Sequence, residues 1–424
     1  MIYFDYRQLP KRDILCIDVK SFFASVESVK RGIHPLDSYI VVMSNQESSG
    51  GLVLAAAPRV KQEYGIKTGS RRFEIPKNSP IQIVAPRMSL YLKVNALIQE
   101  IFRKYVADED WYPYSIDEGF LDVTASHQLF GTTEEIARKI QLEIWQKLKL
   151  VVTIGIGDNP LLSKLALDNA AKDAVNGMAS WRYETIPETI WKIPKLTDFW
   201  GIGYRTANSL EKIGIHTIYQ LAQTDISKLK KTFGIIGEQL FYHAHGIDFT
   251  RLSERHIPQE RNFCKSQILK QDYTKQYEIE IVIREMADQL AARLRTHHLE
   301  AGVLSLSIGL SKYATTKGFQ IQRKINPTDH SKEIVATFID LFRAKYQGEA
   351  VRSIFVSCAH LKEKETFQLN LFEDIESVKT TEAIDQTIDL IRHRFGYPSI
   401  VKANSLMHGA TAIERTKLVG GHQG

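Results

Sequence analysis

One carboxylate stands inside an otherwise apolar run near the start of the chain, Ile14-Leu-Cys-Ile-Asp18-Val19. Such a run reads as a short strand buried on both faces. An unpaired charge in that setting costs several kcal/mol, so the strand must lie where a cation or hydrogen-bond donors reach Asp18. Asp117 and Glu118 interrupt a second apolar stretch in the same way, Tyr114-Ser-Ile-Asp117-Glu118-Gly-Phe-Leu-Asp122. Adjacent residues of a flat strand face opposite sides, so both acids can approach one point only at a bend, for which Gly119 is the expected hinge. Each acid alone could merely cap a turn. Together they suggest a hard-cation site, Mg²⁺ shared with phosphate oxygens, with two ions clamping an in-line phosphoryl displacement.

The surroundings of these strands suggest an α/β or α+β unit over residues 1–180. Ser21 is placed to cap a helix bearing Phe22, Val26 and Val29 at helical spacing. A loop at 45–51, a strand at 52–57 and a basic helical stretch through Lys61 follow. Helices are expected at 89–106 and 133–148, a strand–turn–strand at 114–124 and further strand at 151–157. Residues 195–250 change to short helices punctuated by Phe199-Trp-Gly201-Ile-Gly203, with a second glycine pair at Gly234 and Gly237. Residues 260–362 read as βαββαβ, an antiparallel sheet with helices on one face. Leu304, Leu306, Ile308 and Leu310 alternate with Ser305, Ser307 and Gly309, so one face is core and the other small and polar. A charged stretch at 361–366 leads to one amphipathic helix (381–395) and an irregular tail.

Composition narrows the setting. A chain of 424 residues predicts two to four domains. No apolar run nears the length that spans a bilayer, the N-terminus lacks a signal pattern, and the three cysteines have no metal-ligand spacing, so a cytoplasmic protein is expected. The net charge of +6 is uneven: residues 1–184 carry +1, 185–360 carry +6 and 361–424 carry −1. A basic middle segment fits a polyanionic partner. No P-loop, H-E-x-x-H or G-x-S-x-G motif occurs, and His243, His245, His297 and His298 read as surface residues rather than ligands.

Asp18-Val-Lys-Ser-Phe-Phe-Ala-Ser-Val-Glu27 and Tyr114-Ser-Ile-Asp-Glu-Gly-Phe-Leu-Asp122 closely resemble the two catalytic motifs of Y-family translesion DNA polymerases, in detail the bacterial UmuC-like (ImpB/MucB/SamB) branch. The resemblance covers residues from about 10 to 360 and, more loosely, the tail. It implies a multidomain α+β chain: palm (1–21 and 85–180), small fingers (22–84), a helical thumb with a helix-hairpin-helix (185–250), a βαββαβ little finger (260–362) and a clamp-binding C-terminal interaction tail (363–424).

Residue by residue, the resemblance implies catalytic Asp18, Asp117 and Glu118, with two Mg²⁺ ions held by these three and Val19. Phe23 matches the steric gate, which leaves no room for a 2′-hydroxyl. Val19, Phe22, Phe23, Arg59, Lys61 and Lys172 are the expected nucleotide contacts. Two departures bear on that set. Gln62 stands where the family usually has a basic residue, and Lys172 is offset by one from the usual lysine. Gly201, Gly203 and Arg205 are the expected DNA contacts of the hairpin, whose glycines let backbone N–H groups approach a phosphate. Gln368-Leu-Asn-Leu371-Phe372 resembles the peptide that binds the sliding clamp.

The implied activity is low-processivity, error-prone translesion synthesis, with primer–template DNA, deoxynucleoside triphosphates and the sliding clamp as partners. SOS accessory subunits or a recombinase could join them; a membrane is not expected. Two other readings stand beside it. A non-catalytic, clamp-tethered repair factor leaves three buried acids without a purpose. A nucleotidyl cyclase leaves the hairpin and the clamp peptide unexplained.

Overall fold

The computed structural model describes residues 4–44, 50–254, 261–364 and 375–423. The chain forms two compact units, Met1–Arg255 and His256–Gln423.

The first unit begins with β1 (Ile14–Val19), α1 (Phe22–Val29), β2 (Ile40–Ser44), β3 (Leu52–Ala56), α2 (Pro58–Tyr64) and β4 (Gln82–Val84). Then come α3 (Met88–Phe102), β5 (Trp111–Pro113), β6 (Glu118–Asp122), the one-turn α4 (His127–Phe130), α5 (Thr133–Leu148), β7 (Val152–Gly157), α6 (Pro160–Ala166) and β8 (Met178–Trp181). A five-stranded sheet runs in the order β5-β6-β1-β7-β8. β1 takes its centre because its residues are apolar on both faces, and it pairs antiparallel with β6 and β7. A separate three-stranded sheet, β3-β2-β4, carries α2.

β7 is buried along its whole length. Two glycines let α6 lie directly on it. A Cβ on Gly155 would stand 2.0 Å from the Ser163 carbonyl oxygen and 2.4 Å from the Leu167 nitrogen; one on Gly157 would stand 2.4 Å from the Ser163 nitrogen. α6 then presents its other residues to a core that continues into α7 (Tyr204–Glu211), α8 (Ile218–Gln223), α9 (Ile226–Phe233) and α10 (Ile235–Ala244), through Leu161, Phe199, Leu210, Leu221 and Phe241. His245, expected at the surface, is 1% exposed and lies between the rings of Phe4 and Phe241. The apolar rings explain the burial.

The second unit is β9 (Phe263–Tyr273), α11 (Gln276–Thr296), β10 (Leu299–Leu310), β11 (Phe319–Thr328), α12 (Ser331–Lys345) and β12 (Val351–Glu363), the expected βαββαβ order. Its sheet runs β11-β10-β12-β9 with every neighbour antiparallel. Leu304, Leu306 and Ile308 sit in its core with Ile283, Leu290, Phe338 and Phe342 of the two helices.

The tail holds the expected helix, and short elements rather than a wholly irregular segment follow it. Residues after β12 form α13 (Ile375–Phe395), α14 (Ala412–Arg415) and the two-residue strands β13 (Leu418–Val419) and β14 (His422–Gln423). They pack on α11 through its buried carboxylates. Glu285 accepts the N–H groups of Thr411 and Ala412 at 3.0 and 2.9 Å, and Asp288 takes Arg392 and Lys402, each at 2.8 Å. Gly409 (φ +90°) passes so close to Glu278 that a Cβ would stand 2.7 Å from the glutamate Cβ. Polar docking of this kind carries no apolar periodicity for a sequence reading to find.

The close approach of α6 to β7 makes a test. Gly155→Ala places a methyl against backbone atoms that cannot rotate away, and we expect it to lower stability by about 3 kcal/mol. All five tryptophans lie before residue 255, so denaturation followed by tryptophan fluorescence reports the first unit alone.

Candidate functional site

The two acidic motifs meet because their strands are neighbours. In the antiparallel register of β1 and β6, Asp18 stands opposite Glu118 and Ile17 opposite Gly119. The chain bends before Glu118, not at Gly119 as expected. β5 and β6 form a hairpin whose loop is closed by the Glu118 carbonyl, which accepts the N–H groups of Tyr114 and Ser115 at 3.0 Å. The Ser115 hydroxyl oxygen accepts the N–H groups of Asp117 and Glu118 and donates to Asp117 Oδ1 at 2.7 Å. Gly119 lies within the strand, where its missing side chain admits the Phe102 ring; a Cβ would stand 3.4 Å from it. The Asp117 carbonyl accepts the Val19 N–H at 3.0 Å, tying the loop to the end of β1.

Asp18 and Glu118 are mostly buried, and two lysines offset their charge. Lys172 Nζ lies 3.8 Å from Asp18 and 2.7 Å from Asp168. Lys164 Nζ lies 3.1 Å from Asp168 and pairs closely with Glu118. The charges alternate along a path that begins and ends on the two facing acids: Asp18, Lys172, Asp168, Lys164, Glu118. Burial still raises the Asp18 carboxyl pKa well above the usual carboxylate range, to about 8; Lys172 opposes the rise, and the neighbouring Glu118 and Asp117 add to it.

Lys164 was missed by the sequence reasoning, although a signal existed. It is the one cation in a wholly buried helix, α6, and so mirrors Asp18 in β1. The segment that leads to Lys172 departs from the α-helix. Residues Leu167–Ala171 form a π-helical turn, closed by Lys172 N–H donating to the Leu167 carbonyl at 3.3 Å. That turn accommodates an extra residue and brings Lys172 back to the acidic pair.

Among the described residues, no group of three His, Cys, Asp or Glu side chains is arranged as it stands to hold a metal ion. Asp18 and Glu118 converge, while the Asp117 carboxylate is engaged by Ser115. The donors are nonetheless of the hard, oxygen-only kind suited to Mg²⁺, and two like charges set side by side favour a shared cation. The residues present fit such an ion once Asp117 releases Ser115.

A cleft of about 820 Å³ opens beside the acids. Asp18, Val19, Phe22, Phe23, Lys61, Gln62, Asp117 and Lys172 all line it. Burial holds the Lys61 ammonium below its ordinary range. Arg59 departs from expectation: it pairs with Glu63 at 2.7 Å and lies over the Tyr39 ring, 4.8 Å from its centroid. On a helix, two residues' separation turns it away from the face that carries Lys61. Ser21 also differs, for its side chain caps nothing; with φ +51° it forms the tight left-handed link between β1 and α1. Phe23 stacks on Tyr91, ring centroids 4.4 Å apart.

Gly201 (φ +92°) and Gly203 sit in an open turn before α7, where a Cβ on either would have no heavy-atom neighbour within 4 Å. Gly203 occupies the N-cap position of α7, and the exposed Arg205 is the helix's second residue. The segment before the turn is a single 3₁₀ turn, Leu196–Asp198, rather than an α-helix. Gln368, Leu371 and Phe372 lie outside the described residues. No described helix is long and apolar enough to cross a membrane.

Three family profiles match the sequence. Residues 17–168 match the impB/mucB/samB family, 260–371 its C-terminal domain, and 197–248 a thumb domain described for DNA polymerase-iota. A Bacillus subtilis relative named for UV-damage repair, UvrX, is 42% identical, the match covering 99% of each chain. A DNA polymerase IV 2 of the same organism is 33% identical over 98% of this chain and 99% of its own length. Among solved structures, the Y-family DNA polymerase chimera Dbh-Dpo4(243-245)-Dbh aligns with a TM-score of 0.65 at 20% identity, covering 83% of this chain and 99% of the other. That likeness is one of fold.

The raised pKa of Asp18 has a consequence for stability. Its folded value lies above the unfolded one, so the metal-free chain loses stability as pH rises from about 4 to about 8, where the unfolded carboxyl ionises and the folded one resists. Asp18→Asn removes that loss. The variant is therefore expected to be more stable than the parent at pH 8 in the presence of a chelator, and equal to it below pH 4, by thermal melting.

Proposed function

From the premise that this chain belongs to the impB/mucB/samB family, and so is a Y-family DNA-directed DNA polymerase, we propose that its cleft takes a deoxynucleoside triphosphate and that Asp18, Glu118 and Asp117 are its catalytic acids. The observation that carries the reading is the register of β1 on β6, which sets Glu118 opposite Asp18, and Asp18 lines a cleft together with Asp117, Phe23, Lys61 and Lys172. Palm, fingers, thumb and little finger then correspond to residues 1–21 with 85–180, 22–84, 185–250 and 260–362.

The acids and the Val19 carbonyl would hold two Mg²⁺ ions. Divalent ions held there would polarise the primer 3′-hydroxyl and neutralise phosphate oxygens. The chain's own residues do the rest. Lys61 and Lys172 place positive charge in the cleft for the triphosphate. Lys164 holds the Glu118 carboxylate in place. Phe23 closes the wall where the sugar lies. The 3′-oxygen attacks the α-phosphorus, and pyrophosphate leaves.

The open turn at Gly201 and Gly203 presents N–H groups to a DNA phosphate without sequence preference, and the small polar face of the little-finger sheet follows the backbone. The fingers are a three-stranded sheet with short helices, which fits a polymerase that tolerates damaged templates. Gln368, Leu371 and Phe372 would tether the chain to the sliding clamp and offset a loose grip by raising local concentration. A non-catalytic accessory role finds less support, because it gives the path of charges between Asp18 and Glu118 nothing to do.

Primer extension by the purified chain, with Mg²⁺ and deoxynucleotides on damaged and undamaged templates, tests the activity. Asp18→Asn and Glu118→Gln are each expected to lower it by on the order of 10²–10³-fold or more while the circular dichroism is unchanged; full activity in either would remove that residue from the site. Replacing Leu371 and Phe372 by Ala should abolish clamp pull-down and leave clamp-free extension as it was. Retention of clamp binding would sink the tether.

A further inference from the structure

Phe23 and Glu27 stand one turn apart on α1, so their side chains leave the same face of the helix. Tyr91 of α3 spans both. Its ring lies within 13° of parallel to the Phe23 ring, 4.4 Å away, and its hydroxyl donates to Glu27 Oε1 at 2.8 Å. Tyr91 and the Glu27 carboxylate have no exposed surface, whereas Phe23 lines the cleft. The three side chains thus form a closed frame of which only Phe23 reaches the cleft.

Glu27 is itself held from three sides. Arg87, at the start of α3, clamps it with Nε at 2.9 Å from Oε1 and Nη2 at 2.6 Å from Oε2. Arg31, in the turn just past the end of α1, pairs with Oε2. Oε1 therefore serves both Arg87 and Tyr91, and the carboxylate cannot shift without loosening the phenol. A joint between two helices needs only apolar packing, and a buried ion pair adds little stability over it. What fixed donors around one carboxylate do contribute is direction.

We infer that Glu27 is a positioning residue for sugar discrimination, fixing through the Tyr91 hydroxyl how far the Phe23 ring stands into the cleft. This rests on the reading of Phe23 as the wall that meets the sugar. Rejecting one extra oxygen is a contact effect, and displacement of an aromatic wall by about 0.5–1 Å already changes such a contact substantially. The Tyr91 ring backs Phe23 face to face, so a ring freed to slide would let Phe23 recede.

The test is the ratio of kcat/KM for ribonucleotide to that for deoxyribonucleotide incorporation, measured by primer extension with the full chain. Tyr91→Phe keeps every ring contact and removes only the hydroxyl. It is expected to raise the ratio by about 3–10-fold, the scale of one hydrogen bond, and Glu27→Gln by at least as much. In a Phe23→Ala background, where the ratio is already high, Tyr91→Phe should add nothing, since it acts through a ring that is gone. A Tyr91→Phe ratio within twofold of the parent overturns the inference, as does an equal gain in the Phe23→Ala background. Should Glu27→Gln fail to fold, the Tyr91→Phe pair of measurements decides. If Phe23→Ala itself leaves the ratio unchanged, the sugar-wall reading fails, and that result is distinct from a silent Tyr91→Phe.

Discussion

Two carboxylates placed opposite each other on adjacent strands repel, and the first unit is arranged round that repulsion. Asp18 and Glu118 are neighbours by backbone register, so the conflict cannot be relieved by a side-chain rotation alone. Lys172 and Lys164, joined through Asp168, bring counter-charge from the segment that follows β7. They can do so only because Gly155 and Gly157 let α6 lie almost in backbone contact with the sheet. The acidic pair, the close helix and the π-turn after it are parts of one electrostatic solution.

That solution is incomplete, and the shortfall is where function enters. Asp18 remains a reluctant anion with Lys172 beside it, because burial outweighs one partly exposed lysine. A carboxyl that ionises reluctantly in the free state is one that a nearby positive charge would help to ionise. The opposite treatment is given to Glu27, fully buried but surrounded by donors until its pKa falls below the ordinary range against the pull of burial. One carboxylate is left wanting a partner and the other is saturated. The first suits binding; the second suits holding neighbours still.

Much of this was legible in the sequence, and for identifiable reasons. Asp18, Asp117 and Glu118 announced themselves by interrupting apolar runs, and the βαββαβ unit by clean period-two alternation in Leu304–Leu310. Ser21 misled because its residue type suits a cap, whereas a two-residue link between strand and helix demanded a positive φ. Arg59 misled because proximity along a helix is not proximity in space. The helix of the tail was legible, but the segment after it gave no periodic signal, since it docks on α11 by carboxylates and N–H groups rather than by an apolar stripe.

The amino-acid order alone therefore determined which residues are too costly to bury without purpose, which segments are strands or helices, and, through its motifs, the family. Those are local properties, set by side-chain chemistry and spacing. Tertiary structure decided which charges face one another: that Lys164 answers Glu118, that a π-turn returns Lys172 to Asp18, and that Tyr91 links Phe23 to Glu27. Pairings between distant segments depend on strand register and helix approach to within an ångström or two, and a one-dimensional pattern does not carry distances of that kind.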